Sequence, residues 1–240
     1  MGLQFDRMMA GEWYLPTQDP DIHTAYMECQ RKVSRFNATT PDGDPDNDPD
    51  DAATRTALLH NIFGEYGEGS IVRQPLTCEF GVNVRIGREC FLNFDVMFVD
   101  TNTVTLGDNV QVGPRVQFVT PLHPVDDVEM RAAGWERSAP ITVGNNVWIA
   151  AGVTVCAGVT IGDNSVIGAG SVVTKDIPAN VLAGEHPAAQ CALYEPIRHL
   201  QTSLAVGAAS RCCAFGMNNI VNDGGELVKG CGPAVVPEAL

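Results

Sequence analysis

The chain has 240 residues, of which 45% are hydrophobic, so it is long enough for one domain with a substantial core and appended segments. A formal net charge of −14 argues against a nucleic-acid partner, because phosphate backbones attract basic surfaces. No apolar run approaches about 18 residues, and the amino end lacks the basic-then-apolar layout of a signal peptide, so we expect a cytoplasmic protein with no membrane contact.

The amino-terminal part predicts two helices separated by an acidic linker. Helical patterns cover residues 21–36 and 52–63, and Asp51 is expected to cap the second helix. The segment 39–51 is rich in aspartate and proline and predicts a solvated linker. It resembles a calcium loop only superficially, because the glycine and glutamate that such loops need are missing. We therefore assign residues 1–66 to a helical cap that contains this linker.

Residues 143–172 consist of five consecutive six-residue units, each opening with an aliphatic residue, and a sixth unit begins directly after them. These positions are Val143, Ile149, Val155, Ile161, Ile167 and Val173. A helix repeats at about 3.6 residues and a strand face at about two, so neither explains this period. Turn-forming residues lie between the apolar positions. The pattern predicts a parallel β-helix in which three units close one turn around an aliphatic column.

The same register returns upstream at Ile86, Leu106 and Val112, so the solenoid is predicted to span residues 80–182. Residues 120–140 interrupt it with prolines, charges and a tryptophan, which cannot continue an aliphatic column. This segment is therefore predicted to be a loop extruded from the solenoid. Loops on rigid scaffolds commonly carry the chemistry of a protein, so functional residues are expected here.

Four separated motifs stand out in the chain. They are MAGEWY followed by RFN near the amino end, FGVNVRIGRECFLNFDVMFVD at residues 80–100, the His-Pro of the loop, and ITVGNNVWIAAGVTVCAGVTIGDNSVIGAGSVVTKDIPANV at residues 141–181. Together they resemble the hexapeptide-repeat acetyltransferases of the maltose and galactoside O-acetyltransferase group. The resemblance implies an all-β solenoid, a left-handed parallel β-helix at residues 67–190, with an amino-terminal helical cap and an irregular carboxy-terminal extension at residues 191–240.

The resemblance also implies an acetyl-CoA-dependent O-acetyltransferase acting on a maltose-, glucose- or galactoside-like sugar. It places the catalytic histidine at the His-Pro of the loop, which is His123 here. Direct transfer to a hydroxyl needs a base, because a free alcohol is a poor nucleophile at neutral pH. Imidazole, with an unperturbed pKa of about 6.5, suits that task, and a positioned base contributes roughly 100- to 10,000-fold in rate.

Substrate and donor residues follow from the same resemblance. Asn93 is expected to contact the acceptor hydroxyl or orient the histidine, since an amide both donates and accepts hydrogen bonds. Asp100 is a further candidate for the sugar hydroxyl groups, and Phe91 and Trp135 offer either flat faces to a sugar ring or ordinary packing. The implied donor sites are Ala151, Ala169, Thr174 and Lys175, with the lysine meeting a phosphate. No metal is expected.

Several features leave alternatives open. Family members usually carry arginine where this chain has Ala189 and Ala192, which weakens the implied phosphate clamp because alanine offers no charge-assisted bonds. The chain is thus either an active enzyme, predicted to be a homotrimer with sites between subunits, or a binding or scaffold module on the same fold. A zinc hydratase is disfavoured, because only His123 and His186 lie in or near the solenoid. The eight cysteines lack CxxC spacing and are expected to be reduced.

Overall fold

A computed structural model of the protein describes residues 2–40 and 49–184, together with three further strands at residues 189–193, 219–221 and 227–229. Its helices are α1 (Leu3–Met9), a 3-10 turn (Pro16–Gln18), α2 (Pro20–Asn37), α3 (Pro49–Ile62) and α4 (Val128–Ala132). The first three α-helices precede the β-structure and form the predicted helical cap, whereas α4 lies inside the extruded loop.

Helix α2 lies where the sequence predicts a helix. The carboxylate of Asp19 caps it by accepting a hydrogen bond from the N–H of Asp21 at 3.0 Å. Pro20 occupies the first helical position, where a missing N–H has no consequence. The buried residues recur on one face of the helix and are Ile22, Cys29, Val33 and Phe36. This apolar face is what docks α2 onto the rest of the protein.

Helix α3 begins earlier than predicted. It starts at Pro49, so Asp51 lies in its first turn and not at the capping position, and that prediction was wrong. Proline is favourable at the start of a helix because its fixed φ suits the first turn. The buried residues Leu58, Leu59 and Ile62 then face the same core as α2.

The solenoid consists of five complete turns of three short strands and a sixth, incomplete turn. The first turn contains β1 (Glu65–Tyr66), β2 (Ile71–Val72) and β3 (Leu76–Cys78), and the second contains β4 (Val84–Ile86), β5 (Phe91–Leu92) and β6 (Val96–Val99). The third contains β7 (Val104–Leu106), β8 (Gln111–Val112) and β9 (Gln117–Val119). After β10 (Pro121–Leu122) and β11 (Arg137–Ser138), the fourth contains β12 (Ile141–Val143), β13 (Trp148–Ile149) and β14 (Thr154–Cys156). The fifth contains β15 (Thr160–Ile161), β16 (Val166–Ile167) and β17 (Val172–Val173), and β18 (Val181–Gly184) belongs to the sixth.

Equivalent strands of successive turns pair in parallel and make three sheets. The first sheet has the order β1-β4-β7-β12-β15, the second contains β2-β5-β8-β13-β16-β18, and the third contains β3-β6-β9-β14-β17. Val143 pairs with Leu106 on one side and Ile161 on the other, so the turns stack in step. The prediction of a parallel β-helix is confirmed.

The predicted start of the solenoid at residue 80 was wrong. Glu65 of β1 pairs with Arg85 of β4, so a complete turn precedes the predicted first residue. That turn still buries Val72, Leu76 and Cys78, but it lacks the aliphatic-glycine spacing on which the prediction depended.

The interior of the solenoid is the predicted aliphatic column. The six aliphatic positions that open the hexapeptide units are at most 1% exposed. Nearer the cap, the rings of Phe98 and Phe118 stack with centres 5.0 Å apart, and Phe63 of the cap meets Phe98 edge-on at 6.1 Å. Burial of one such side chain stabilises the fold by about 1.5–3 kcal/mol, so the column is the main apolar contribution of the solenoid.

One corner of the solenoid carries a ladder of asparagines. Asn109, Asn146, Asn164 and Asn180 adopt φ angles of 57°, 54°, 58° and 60° on successive turns. Each side-chain amide donates to the side-chain oxygen of the next, at 2.9, 3.0 and 3.0 Å. Asparagine tolerates the left-handed region better than most residues, so the sequence places it where each turn bends.

The helical cap is bonded to the first turn of the solenoid. The amide of Asn37 donates to the carbonyl oxygen of Leu76 and accepts from its N–H, both at 2.9 Å. Gln30 donates to the carbonyl oxygen of Cys78 at 2.8 Å. These contacts satisfy the backbone of β3, the outermost strand of its sheet, which would otherwise have unpaired groups.

At the other end, β19 (Ala189–Leu193) pairs antiparallel with β18, and β20 (Asn219–Val221) pairs with β21 (Leu227–Lys229). The other residues of the predicted extension at 191–240, and residues 41–48 of the acidic linker, lie outside the described part of the chain. In the part that is described, no helix has the length and apolarity to cross a membrane. Cys29, Cys78, Cys90 and Cys156 are free thiols.

Candidate active site

Two corners of the solenoid carry most of the predicted site residues. The alanine corner joins the second sheet to the third and comprises residues 93–95, 113–116, 150–153 and 168–171. The histidine corner follows the third sheet and comprises residues 79–83, 100–103, 120–140, 157–159 and 174–176. The third sheet lies between the two corners of one protomer.

Ala151 and Ala169 lie on successive turns of the alanine corner, and both are exposed. The N–H of Gly170 donates to the carbonyl oxygen of Ala151 at 2.9 Å, so the two turns are stacked. Gly152 and Gly170 adopt φ angles of 70° and 72°, which favour glycine, and a side chain added at either would meet nothing within 4 Å. The alanine corner therefore has exposed backbone with free space beside it, and a narrow ligand can lie along such a surface.

Asn93 belongs to the same corner, two turns before Ala151. It is half-buried, and its Oδ1 accepts a hydrogen bond from the N–H of Phe94 at 2.9 Å, which fixes the orientation of the amide. Phe91 lies on the second sheet, and the guanidinium of Arg73 covers its ring at 5.1 Å from the ring centre. The structure thus groups Asn93 with the two alanines and leaves Phe91 on a neighbouring sheet.

His123 lies at the end of a short hairpin on the histidine corner. Strands β10 and β11 pair antiparallel, with Pro121 opposite Ser138 and Leu122 opposite Arg137. The hairpin holds the two ends of the segment 120–140 together as it leaves the solenoid. His123 follows β10 directly and is exposed in the protomer, so its ring is accessible to a substrate.

The backbone beyond His123 is held by an arginine of the same segment. Nη1 of Arg131, on helix α4, donates to the carbonyl oxygens of Pro124 at 2.7 Å and Val125 at 2.9 Å. The carboxylate of Asp127 caps α4 at its N-terminus. The residues on both sides of His123 are therefore fixed, although its ring is not packed.

The loop is also bonded to the helical cap. The backbones of Tyr14 and Glu136 form a bridge with N–H to O distances of 2.8 and 3.0 Å, and the Tyr14 hydroxyl donates to Glu136 Oε2 at 2.9 Å. The Ser138 hydroxyl donates to the carbonyl oxygen of Met8 at 2.7 Å. Burial and the charge of Glu136 raise the pKa of Tyr14, so the tyrosine remains a donor. Trp135, next to this bridge, is half-buried.

Asp100 lies below the surface of the histidine corner and is 0% exposed. Its Oδ1 accepts hydrogen bonds from the N–H groups of Glu79 at 2.9 Å and Phe80 at 3.0 Å. Burial raises its pKa to about 7, against the opposing effect of these two bonds. In the protomer this carboxyl group supports the backbone of residues 79–80, and its contact with a sugar stays a prediction.

A cavity of about 510 Å³ opens between the start of α2 and the end of β3. Its lining includes Thr17, Gln18, Asp19, Tyr26, Glu79 and Phe80. Residues 16–20 line one side of the cavity and closely follow Tyr14, which is bonded to the loop. Glu79 and Phe80 line the other side, and their N–H groups donate to Asp100. The cavity therefore lies near the base of the loop that carries His123. Its size, its aromatic ring and its mixed polar groups suit a small polar ligand.

Thr174 and Lys175 follow β17 directly and are exposed on the histidine corner. In one protomer, they are on the opposite edge of the third sheet from Ala151 and Ala169. The four residues predicted to bind the donor therefore lie on two corners of the solenoid, with the third sheet between them.

Sequence reasoning missed three residues of this region: Glu79, Tyr14 and Arg131. Glu79 directly precedes the second motif and Tyr14 ends the first, so both lay beside a recognised pattern. Their contacts join segments far apart in the chain, and no local pattern predicts such a contact. Arg131 lies in the loop that was identified, eight residues after His123.

Comparisons with known proteins agree with this description. The chain matches the maltose acetyltransferase hexapeptide capping motif at residues 7–67 and the bacterial transferase hexapeptide (six repeats) at residues 140–175. It is 48% identical to the galactoside O-acetyltransferase of Escherichia coli K12 over 139 residues, which cover 58% of this chain and 68% of that protein.

Solved structures show the same likeness. The crystal structure of a maltose O-acetyltransferase from Clostridium difficile 630 gives a TM-score of 0.75 at 36% identity, covering 80% of this chain and 98% of that one. A hexapeptide-repeat acetyltransferase from Vibrio cholerae, complexed with acetyl-coenzyme A, gives 0.72 at 33% identity, covering 82% and 100%.

The stacked hexapeptide turns and these likenesses define an acetyltransferase of the hexapeptide-repeat class. Within that class, the chain belongs to the family of maltose and galactoside O-acetyltransferases. The resemblance seen in the four sequence motifs is thereby confirmed.

Proposed function

We propose that the protein transfers an acetyl group from acetyl-coenzyme A to a hydroxyl group of a sugar, with His123 as the general base. The observation that carries this proposal is the exposed His123 at the end of a hairpin whose loop is bonded to the cap, which also lines a cavity of mixed polar and apolar groups. The sugar acetyltransferase relatives, and the relative complexed with acetyl-coenzyme A, support the same reaction.

In this reaction the sugar hydroxyl oxygen attacks the carbonyl carbon of the thioester as His123 accepts the hydroxyl proton. The new C–O bond forms, the C–S bond breaks, and the proton passes from the histidine to the sulfur of coenzyme A. No acyl-enzyme is required, because the base makes the alcohol nucleophilic at the moment of attack. The bonds to the backbone after His123 contribute by fixing the position from which its side chain reaches the substrate.

The donor is proposed to lie along the alanine corner. The exposed Ala151 and Ala169, with open space beside Gly152 and Gly170, leave room for the pantetheine arm to approach the backbone. Lys175 is proposed to bind a phosphate group of coenzyme A, since it is an exposed cation in the same turn of the solenoid as Ala169.

We propose that the active unit is a homotrimer with each site between two subunits. Asn93 and the two alanines lie on the alanine corner, at one edge of the third sheet, whereas His123 and Lys175 lie on the histidine corner, at the other edge. A neighbouring subunit that brings its histidine corner to this subunit's alanine corner would complete both the acceptor and the donor sites.

The test is a panel of glucose, maltose and methyl galactoside acceptors, assayed for thiol release from acetyl-coenzyme A. We expect release with at least one sugar, and a loss of roughly 100- to 10,000-fold in kcat for His123→Ala with an unchanged melting temperature. Retained turnover in the variant would remove His123 from the chemistry. Binding of acetyl-coenzyme A without release from any sugar would identify the chain as a binding or scaffold module instead.

Co-expression tests the shared site. Asn93→Ala and His123→Ala chains, each of low activity alone, should recover activity when combined, because a mixed trimer contains interfaces where both residues are wild type. A monomeric mass with intact activity would refute the trimer, and mixed oligomers no more active than their parents would refute the shared site.

A further inference from the structure

The cavity between α2 and β3 contains a carboxyl group, that of Glu79, which forms no ion pair with any cation in the described part of the chain. Glu79 lines the cavity and is half-buried, and among the described residues its Oε2 accepts no hydrogen bond. Burial, and then the charge of Glu136, raise its pKa to about 7. Burial and the charge of Glu136 both disfavour the ionised carboxylate of Glu79, and a bound cation would stabilise it.

The other acid of the cavity is already engaged. The carboxylate of Asp19 accepts hydrogen bonds from the N–H groups of Gln4, Phe5 and Asp21 at 3.1, 3.2 and 3.0 Å. It therefore serves the fold of the cap, and Glu79 is the carboxyl group available to a ligand.

The remaining lining of the cavity offers little positive charge. Neither lysine nor arginine is among its described residues, and His23 is its one basic side chain. Thr17, Gln18 and the ring of Tyr26 add neutral hydrogen-bonding groups and an aromatic face. Sugar hydroxyl groups alone would leave this half-buried carboxylate without an opposite charge, whereas a cationic group supplies the charge and the hydrogen bond together.

We propose that the preferred acceptor is an amino sugar with a protonated amine, and that Glu79 binds its ammonium group. This inference rests on the proposed function, because it takes the cavity to be the acceptor site. The aromatic face of Tyr26 adds a favourable surface for the cation or for the sugar ring. The net charge of −14 acts in the same direction by attracting cationic ligands to the protein.

Binding the amine as ammonium also determines where the acetyl group goes. An ammonium nitrogen has no lone pair and cannot attack the thioester, so a hydroxyl group of the same sugar remains the nucleophile. The C–O bond forms as the C–S bond breaks, and the hydroxyl proton passes to His123 and then to the coenzyme A sulfur. The ammonium group is unchanged, and the product is an O-acetylated amino sugar.

The experiment compares three matched acceptors with the full-length protein: glucose, glucosamine and N-acetylglucosamine. We expect kcat/KM for glucosamine to exceed that for glucose by about tenfold or more, as a charge-assisted bond provides, and N-acetylglucosamine to show no such gain. Mass spectrometry and NMR of the product should place the acetyl group on oxygen.

A matched pair of variants assigns the preference to one residue. Glu79→Gln should reduce the glucosamine-to-glucose ratio to about one, whereas Glu28→Gln, which removes an exposed carboxylate from α2 outside the cavity, should keep the wild-type ratio. Equal kcat/KM values for glucose and glucosamine in the wild type, an unchanged ratio in Glu79→Gln, or acetylation at nitrogen would each overturn the inference. If neutral sugars react and the glucosamine-to-glucose ratio of kcat/KM is one, the proposed function stands and this inference is wrong. If no sugar reacts, the proposed function is wrong and this inference is wrong with it.

Discussion

Replacing Arg131 with alanine tests whether the loop must hold His123 in place. Nη1 of this arginine donates to two carbonyl oxygens just after the histidine, at 2.7 and 2.9 Å. Hydrogen bonds from charged donors are worth about 1.5–3 kcal/mol when buried, and at this partly exposed site we take about 1 kcal/mol for each. Loss of about 2 kcal/mol of positioning corresponds to a decrease in kcat of roughly 30-fold, since each 1.36 kcal/mol is about tenfold in rate.

The assay is steady-state thiol release with a saturating sugar, together with the KM for acetyl-coenzyme A and the melting temperature. We expect kcat to fall while KM and melting temperature stay close to wild type, because the loop is extruded from the aliphatic column. Arg131→Lys should recover part of the rate, since an ammonium group also donates to carbonyl oxygens. Arg85→Ala, which removes a surface arginine bound to Glu65 at 3.3 Å, is the matched control and should leave kcat unchanged. Wild-type kcat in Arg131→Ala, or a loss explained by unfolding, would refute the reasoning.

Two further predictions concern the donor and the pH dependence of stability. Lys175→Ala should raise the KM for acetyl-coenzyme A several-fold with little change in kcat, and an unchanged KM would mean that the phosphates are bound elsewhere. Burial raises the pKa of both Glu79 and Asp100 to about 7, from ordinary values near 4, so the folded state binds protons more tightly than the unfolded state. Their contribution to stability is complete below the unfolded pKa and is lost as the pH rises through about 7. The melting temperature should therefore increase from pH 8 to pH 5, with a smaller increase in Glu79→Gln; an increase as large as in the wild type would contradict the assignment.

The fold was predictable wherever the sequence repeats. An aliphatic residue every six positions predicts a parallel β-helix, and Val143, Ile149 and Val155 are buried in its interior as expected. The first turn was missed because its inward residues, such as Leu76, lack the glycines that mark the hexapeptide. Its strands form by pairing with the strands of the next turn, as Glu65 pairs with Arg85. This pairing joins residues 20 positions apart, and no local sequence pattern indicates it.

The site was predictable only in part. His123 was predicted from a motif in a segment that breaks the repeat, and its role, which the resemblance implies, stays a prediction. The contact between Tyr14 and Glu136 joins residues separated by 122 positions, and the bonds between Asp100 and the backbone of Glu79 join two turns. Tertiary packing decides such contacts, so the cavity beside Glu79 could not be predicted from the sequence.

The width of the third sheet gives a physical reason for a site shared between subunits. Asn93 and the histidine corner are separated by β6, whose four residues span roughly 13 Å at about 3.3 Å each. A single hydroxyl group cannot form hydrogen bonds to two groups so far apart, since each bond is about 3 Å long. The bridge between Tyr14 and Glu136 binds the base of the loop to the cap. If Asn93 and His123 act on the same acceptor, we propose that they come from different chains, and co-expression of the two alanine variants tests this.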